Sequence, residues 1–270
     1  YNLIMIKISC IQLKSGNDLH NNLLKTSKLI KKAVSHKTDF ILTPEASSIM
    51  SLDKKDLLRK ISNMREDVYV IGISLLAKKY KKWILIGSAF VKNSKNQIVN
   101  RSILINPRGI IVKYYDKIHM YDVVLSKKEK YFESKIFKPG KKIKTYKLPW
   151  GKIGFSICYD LRFPHMFREM SKKGCNFLCV PSAFTQTTGK KHWHSLLKAR
   201  AIENFCYIFA PAQGGLHNNK RKTFGHSLII SPDGKIIKEL NSIKEGVITA
   251  IINPKLSLKL RSIIPSLKGY

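Results

Sequence analysis

The sequence predicts a mixed α/β sandwich occupying residues 1–270 as one domain, and three observations carry that reading. Some apolar segments alternate with amphipathic helical stretches, as strands joined by crossover helices do. Others are joined by tight turns, as antiparallel hairpins are. The apolar content of 44% supplies core enough for sheets covered by helices. No linker and no repeat interrupts the pattern.

Taken in order, Met5 to Leu13 alternates as a strand, and Gly16 with Asn17 or Asp18 offers a turn and N-cap for a helix reaching about Val34. Phe40 to Thr43 is a short apolar strand ending in T-P-E, so Glu45 stands just past a strand's C-terminal end. In α/β sheets that edge gathers ligand-binding groups, although a solvated loop carboxylate is the plainer role. Lys54 to Met64 and Val68 to Tyr80 read as helices and Trp83 to Val91 as a buried strand. Ile98 to Ile105 and Ile110 to Tyr115 pair across N-P-R-G, and the second runs into Y-D-K-I-H-M-Y-D, which brings Lys117 and His119 to its end. Val123 to Lys144 loses periodicity and reads as a long loop, with Glu133 among aromatic residues.

Lys152 to Ile157 alternates as a strand, and Pro164 suits the first position of a helix running to Lys173. Cys158 therefore sits in a strand-to-helix turn. Phe177 to Val180 is a strand, P-S-A-F-T-Q-T-T-G a loop, His192 to Asn204 an amphipathic helix, Cys206 to Gln213 a strand and Gly214 to Lys222 a polar loop. Phe224 to Ser231 and Lys235 to Leu240 pair across P-D-G, Gly246 to Ile252 is the last strand, and Leu256 to Arg261 a short helix.

The formal charge of +33, from 50 Lys and Arg against 17 Asp and Glu, invites nucleic acid, a membrane surface or an acidic substrate as partner. The lysines are scattered through nearly every segment without a stripe of interleaved aromatics, which fits a solvated surface better than a nucleic-acid groove. No apolar run approaches the ~20 residues of a membrane span, and Tyr1 to Leu13 lacks a secretion-signal pattern. The five cysteines are odd in number and show no C-x-x-C spacing, as expected of free thiols in a cytoplasmic protein. No cofactor motif is present. His192 and His194, two positions apart on a helix, face different directions and make a poor metal pair, so no metal is expected.

A turn that lifts Cys158 off a strand suits a thiolate nucleophile and the oxyanion it generates. A buried core cysteine is the competing role, and this stretch alone leaves both open. A nucleophilic cysteine needs a proton acceptor. His165 is near in sequence but carries no Cys–His signature, so Glu45, Lys117 and Glu133 are the better candidates to converge on it.

L-T-P-E at Leu42 to Glu45, Y-D-K-I-H-M-Y-D around Lys117, F-E-S at Phe132 to Ser134 and G-K-I-G-F-S-I-C-Y-D-L-R-F-P resemble the nitrilase superfamily of C–N hydrolases over nearly the whole chain. The order and spacing carry the resemblance, with sixteen residues from Lys117 to Glu133 and twenty-five from Glu133 to Cys158. It implies a four-layer α-β-β-α sandwich, usually dimerised through the helices of one face, and a Glu-Lys-Cys set. In that set Lys117 favours the thiolate of Cys158 and stabilises the oxyanion, Glu45 is the general base, and Glu133 orients Lys117. Two neighbouring carboxylates also raise the expectation that one of them titrates high.

C-Y-D-L-R-F-P resembles the amidase branches, and the stretches around T-T-G-K-K-H-W-H and A-Q-G-G-L-H-N-N-K-R-K-T-F-G-H-S read most like the deaminated-glutathione amidases, with omega-amidases second. Both imply a small anionic amide substrate. The resemblance puts its carboxylate on Arg162, with Phe184 and Thr188 shaping the pocket; a surface or interface salt bridge for Arg162 and plain packing for the other two are the alternatives. Where many relatives read H-W-E this chain reads H-W-H, so something must compensate for the acid at His194. His119 and His226 are expected to be structural hydrogen-bonding residues. A catalytically idle basic scaffold or nucleic-acid binder is the reading from another class.

Overall fold

A computed structural model describes residues 5–127 and 129–268. In chain order its elements are β1 (Ile6–Gln12), α1 (Leu19–Ser35), β2 (Phe40–Leu42), α2 (Lys54–Lys60), α3 (Val68–Tyr80), β3 (Trp83–Lys92), β4 (Ile98–Ile105), β5 (Ile111–Asp116), β6 (Asp122–Val124), β7 (Lys130–Phe132), β8 (Thr145–Leu148), β9 (Gly151–Phe155), α4 (Pro164–Lys172), β10 (Phe177–Cys179), α5 (Gln186–Asn204), β11 (Tyr207–Ala210), β12 (Gly214–Leu216), β13 (Lys222–Phe224), β14 (Leu228–Ile230), β15 (Ile236–Glu239), β16 (Gly246–Ile252) and α6 (Lys255–Ile263).

Two six-stranded sheets form the centre, ordered β16-β1-β2-β3-β4-β5 and β8-β9-β10-β11-β14-β15. Read in those directions, both pair antiparallel, parallel, parallel, antiparallel, antiparallel. The backbone thus repeats itself although the sequence shows no repeat. The strand period of two sorts side chains onto the faces. Phe40, Leu42, Leu85 and Leu104 point into the layer shared with Phe155, Phe177 and Phe209 of the second sheet. Ile41, Ile84, Ile86, Ile103 and Ile105 point outward to Ile30 and Ala33 of α1 and to Val70, Ile73 and Ala77 of α3. On the far side α4 and α5 cover the second sheet with Met166, Phe167, Trp193 and Leu197. These are the four layers α-β-β-α.

Helix ends follow local chemistry. Asp18, Asp67 and Thr185 cap α1, α3 and α5 by accepting from the N–H groups of Asn21, Val70 and Thr188. The ends of α3 and α5 turn through left-handed residues, Lys81 at φ 52° and Phe205 at φ 46°. Four segments differ from the sequence reading. The stretch 123–144 contains the β6–β7 hairpin and a 3-10 turn at Glu133–Lys135, and 214–224 contains the β12–β13 hairpin. Strands of three residues are too short to show a period. Helix α5 begins at Gln186, inside the expected loop, because Gly189 there is not a breaker: a β-carbon at that position would lie 2.4 Å from Phe224 Cβ, so glycine marks close packing. Helix α2 stops at Lys60, four residues short of the expected Met64, and Asn63 bridges to Lys92 instead.

A bulge in β3 positions the first of the candidate catalytic groups. Pairing with β4 skips Gly87 and Ser88, which turn instead toward the loop after β2. Gly87 N–H donates to Thr43 Oγ1 at 3.1 Å, Ser88 N–H to Pro44 O at 3.0 Å, and Ser88 Oγ accepts from Ala46 N–H at 2.9 Å. A β-carbon on Gly87 would lie 1.8 Å from Thr43 O and 2.4 Å from Pro181 Cβ. Gly87→Ala is therefore expected to destabilise the protein by at least ~3 kcal/mol, because neither backbone can yield without moving the loop that carries Glu45. Chemical denaturation with an unchanged m-value checks it.

Candidate active site

Cys158 is separated from the end of β9 by Ser156 and Ile157, and opens a 3-10 turn that ends at Arg162. Its φ of 49° is left-handed for a residue with a side chain, a conformation that costs of order 1–3 kcal/mol and persists only where the surroundings hold it. Two bonds do so: Cys158 N–H donates to Pro181 O at 2.9 Å, and Ile157 N–H donates to Asp160 Oδ2 at 2.8 Å. Asp160 is fully buried and also accepts from Tyr115 Oη at 2.7 Å and from His119 N–H at 3.1 Å, with His119 Nδ1 at 2.7 Å. One carboxylate thus ties the cysteine turn to the end of β5, the stretch that presents Lys117.

Lys117, Glu45, Glu133 and Cys158 all line one cavity of about 220 Å³. Lys117 Nζ donates to Glu45 Oε1 at 3.0 Å and to Glu133 Oε1 and Oε2 at 2.9 and 2.7 Å. Asn100 on β4 donates through Nδ2 to Glu45 Oε1 at 2.9 Å and to Glu133 Oε1 at 3.2 Å. Ala183 N–H holds the other Glu45 oxygen at 2.9 Å, and Tyr121 N–H holds Glu133 Oε2 at 2.7 Å. All four candidate groups are buried, at 8% exposure or less.

Burial opposes the charge on Glu45, yet Lys117, Arg221 and a hydrogen bond from the Cys158 thiol outweigh it and hold the carboxyl below its ordinary range. The expectation that crowding raises a carboxylate pKa is thus reversed at Glu45: the neighbours that count are cations. Burial likewise opposes the charge on Lys117, but Glu133 and Glu45 push its pKa above the usual lysine value, so it stays an ammonium. Burial and the facing Glu45 charge push the Cys158 thiol well up, more than Lys117 and Arg221 pull it down. Lys117 favours the thiolate, as its charge must, but does not win. The site at rest holds a neutral thiol beside an ionised Glu45.

Arg162, Phe184 and Thr188 lie on the other side of Cys158, in a narrow recess that shares Tyr121, Ala183 and Arg221 with the cavity. Arg162 Nη2 is 3.1 Å from His192 Nδ1, and its guanidinium lies 5.6 Å from the Phe184 ring. Phe184 packs on Trp193, and Thr188 is buried in the first turn of α5 with its hydroxyl 2.9 Å from that of Thr185. His165 is exposed and lies beside His119 and Phe163, away from the cavity. His119 stacks on Phe163 and bonds Asp160, while His226 and His194 both bond Glu239. The side chain at position 194 is thus an imidazole paired with a carboxylate from β15.

Three residues that the sequence reading gave no role stand at the site. Asn100 had one signal: N-R-S is polar in the middle of an otherwise apolar strand, yet buried. Asp160 sits within the cysteine motif. Arg221 comes from the turn between β12 and β13; its Nη2 donates to Ala183 O at 2.6 Å, its guanidinium lies over Tyr131, and its Nε is buried without a hydrogen-bond partner among the described residues.

A family model described as carbon-nitrogen hydrolase matches residues 7–261. A deaminated glutathione amidase of Dictyostelium discoideum is 36% identical over 243 residues, 87% of this chain and 83% of that one. Omega-amidase NIT3 of Saccharomyces cerevisiae is 31% identical over 270 residues, covering 97% of this chain and 92% of that one. The crystal structure of the Caenorhabditis elegans NitFhit protein superposes with a TM-score of 0.91 at 32% identity, over 98% of this chain and 65% of that longer one. With this fold and these relatives, the chain belongs to the carbon-nitrogen hydrolase family within the nitrilase superfamily, and is a hydrolase acting on carbon–nitrogen bonds.

Proposed function

We propose that the protein hydrolyses deaminated glutathione to 2-oxoglutarate and cysteinylglycine through a thioester on Cys158. In the first step the Cys158 sulfur attacks the amide carbon while its proton passes to Glu45, the ionised carboxylate hydrogen-bonded to the thiol. The carbonyl oxygen becomes an oxyanion facing the Lys117 ammonium, which its two carboxylate partners keep charged. The tetrahedral species collapses by breaking the C–N bond, and Glu45 returns the proton to the leaving amine. Water then attacks the thioester, Glu45 takes its proton, the C–S bond breaks, and Glu45 restores the thiol. Glu133 and Asn100 hold Lys117 and Glu45 in register throughout.

The observation that supports this substrate is the pair of guanidinium groups flanking Cys158. Deaminated glutathione carries a carboxylate at each end of its scissile amide. In this reading Arg162 takes the carboxylate of the 2-oxo acid end, and Arg221, whose Nε has no hydrogen-bond partner among the described residues, takes that of the leaving dipeptide's far end. The relatives that bear the deaminated glutathione amidase name add to this reading. An omega-amidase substrate has one carboxylate and releases ammonia, which leaves Arg221 without a partner; the yeast relative keeps that as the second reading.

Assaying deaminated glutathione beside 2-oxoglutaramate tests it: a higher kcat/KM for the first is expected, and a strong preference for the second makes the protein an omega-amidase. Arg221→Met is expected to lower kcat/KM for deaminated glutathione ~10- to 100-fold, the cost of one hydrogen bond to a charged group. The loss for 2-oxoglutaramate should be clearly smaller. Equal losses on both substrates would remove Arg221 from recognition of the leaving group. A homodimer in the cytoplasm remains part of this proposal.

A further inference from the structure

Away from the cavity, three metal-ligating side chains from separate elements meet. His194 on α5, His226 in the turn before β14 and Glu239 on β15 bring one ligand atom each within 4.8 Å of the others. Glu239 Oε1 lies 2.9 Å from His194 Nε2 and 3.0 Å from His226 Nδ1. We propose that these three side chains bind one divalent transition-metal ion, with Zn²⁺ as the reference case and water as the fourth ligand.

The donor set selects the ion. Two imidazole nitrogens and one carboxylate oxygen suit zinc and its neighbours, and three protein ligands with an open fourth position are a recurrent zinc arrangement. Calcium and magnesium need more oxygen donors than the cluster offers. Bonds of about 2.0–2.1 Å in a tetrahedron place ligand atoms roughly 3.3 Å apart, so the two Glu239 contacts have to open by a few tenths of an ångström while the two imidazole nitrogens, within 4.8 Å of each other, settle to the same spacing. It has room to do so, since His194 and Glu239 side chains are 35% and 23% exposed, which also lets an ion enter from solvent. Each ring must turn a lone pair toward the ion in place of the N–H now facing Glu239, and a neutral imidazole does this by carrying its proton on the other nitrogen.

The scaffold behind the ligands is fixed. Trp193 Nε1 donates to His226 O at 2.9 Å, His226 N–H donates to Ser242 O at 3.3 Å, and the His226 ring stacks on Phe224 with centroids 4.2 Å apart. Position 194 decides the chemistry. An acid there would set two like charges against each other beside Glu239, whereas the imidazole supplies the second nitrogen. A bound ion would tie α5, whose first turn carries Thr188, to the edge hairpin β14–β15.

The test uses untagged, chelator-stripped protein carrying Cys158→Ser, so that the cavity thiol does not compete for the ion. Zinc titration by calorimetry is expected to give one ion per chain, with a Tm that rises with zinc concentration because the ion binds only the folded state. Cobalt(II) in its place should give visible bands of a four-coordinate site without the charge-transfer absorption of a thiolate. His194→Ala and Glu239→Gln, made separately, should each weaken zinc binding by more than ~100-fold, beyond the cost of losing an outer hydrogen-bond partner. Absence of saturable zinc uptake, or uptake that both substitutions leave unchanged, overturns the proposal.

Discussion

Cys158→Ala is expected to lower amide turnover by at least ~10⁴-fold while leaving the fold intact, because the proposed covalent intermediate needs a thiol and no other cysteine lines the cavity among the described residues. The side chain is small and its turn is held by backbone bonds to Pro181 and Asp160, neither of which uses the sulfur. Circular dichroism and Tm should therefore stay near wild type while product formation vanishes. Mass spectrometry of the wild-type protein quenched during turnover should show the acyl adduct on Cys158. Appreciable turnover by the variant would sink the thioester mechanism. The proton acceptor can be read from the same enzyme. Because Glu45 is held below the ordinary carboxylate range, kcat/KM should stay level as pH falls from neutrality and drop only below about pH 4.5. An acid limb at pH 6–7, the range of an unperturbed imidazole, would point to a histidine base instead.

Lys117→Met should be the most destabilising single change in the site. It removes the one ammonium that bonds both Glu45 and Glu133, whose side chains are 6% and 9% exposed, and leaves two carboxylates buried without their counter-charge. Removing one partner of a buried ion pair costs about 3–5 kcal/mol. The sign of its pH dependence follows from the same charges. In the wild type the depressed Glu45 pKa contributes stability that is present above the unfolded-state value and is lost as pH falls through the folded one. Without Lys117 the facing carboxylates favour protonation in the fold, so the variant's deficit should be greatest at neutral pH and shrink toward pH 5. Urea denaturation of both proteins across that range measures it; a deficit independent of pH would show that lost packing, and not uncompensated charge, is the cause.

Much of the site was legible because the chain places chemistry at strand ends. Glu45 follows β2, Lys117 follows β5 and Cys158 follows β9, and the apolar runs of those strands fix their ends to within a residue or two. Glu133 was visible only through its motif, since the hairpin and 3-10 turn around it are shorter than any period. Asn100 and Arg221 were not legible for another reason. Asn100 acts from mid-strand, where an alternating pattern says only which face it takes. Arg221 enters from the β12–β13 turn, where sequence reads merely as polar. Likewise, Glu239 and His226 are unremarkable in sequence, and only the stacking of α5 over the edge hairpin brings them to His194. The start of α5 was misplaced because a glycine that signals a close aromatic neighbour has the same letter as one that ends a helix.

The matching order of the two sheets has a consequence for assembly. Glu45, Asn100 and Lys117 belong to the half built on β1–β5, whereas Cys158 and Ala183, which holds Glu45, belong to the half built on β8–β15. Neither half alone owns a working set of groups. Catalytic competence should therefore appear late in refolding, when the two sheets seat face to face, and after the far-ultraviolet signal of their strands and helices has recovered. Activity in this protein is a clock for the docking of its halves.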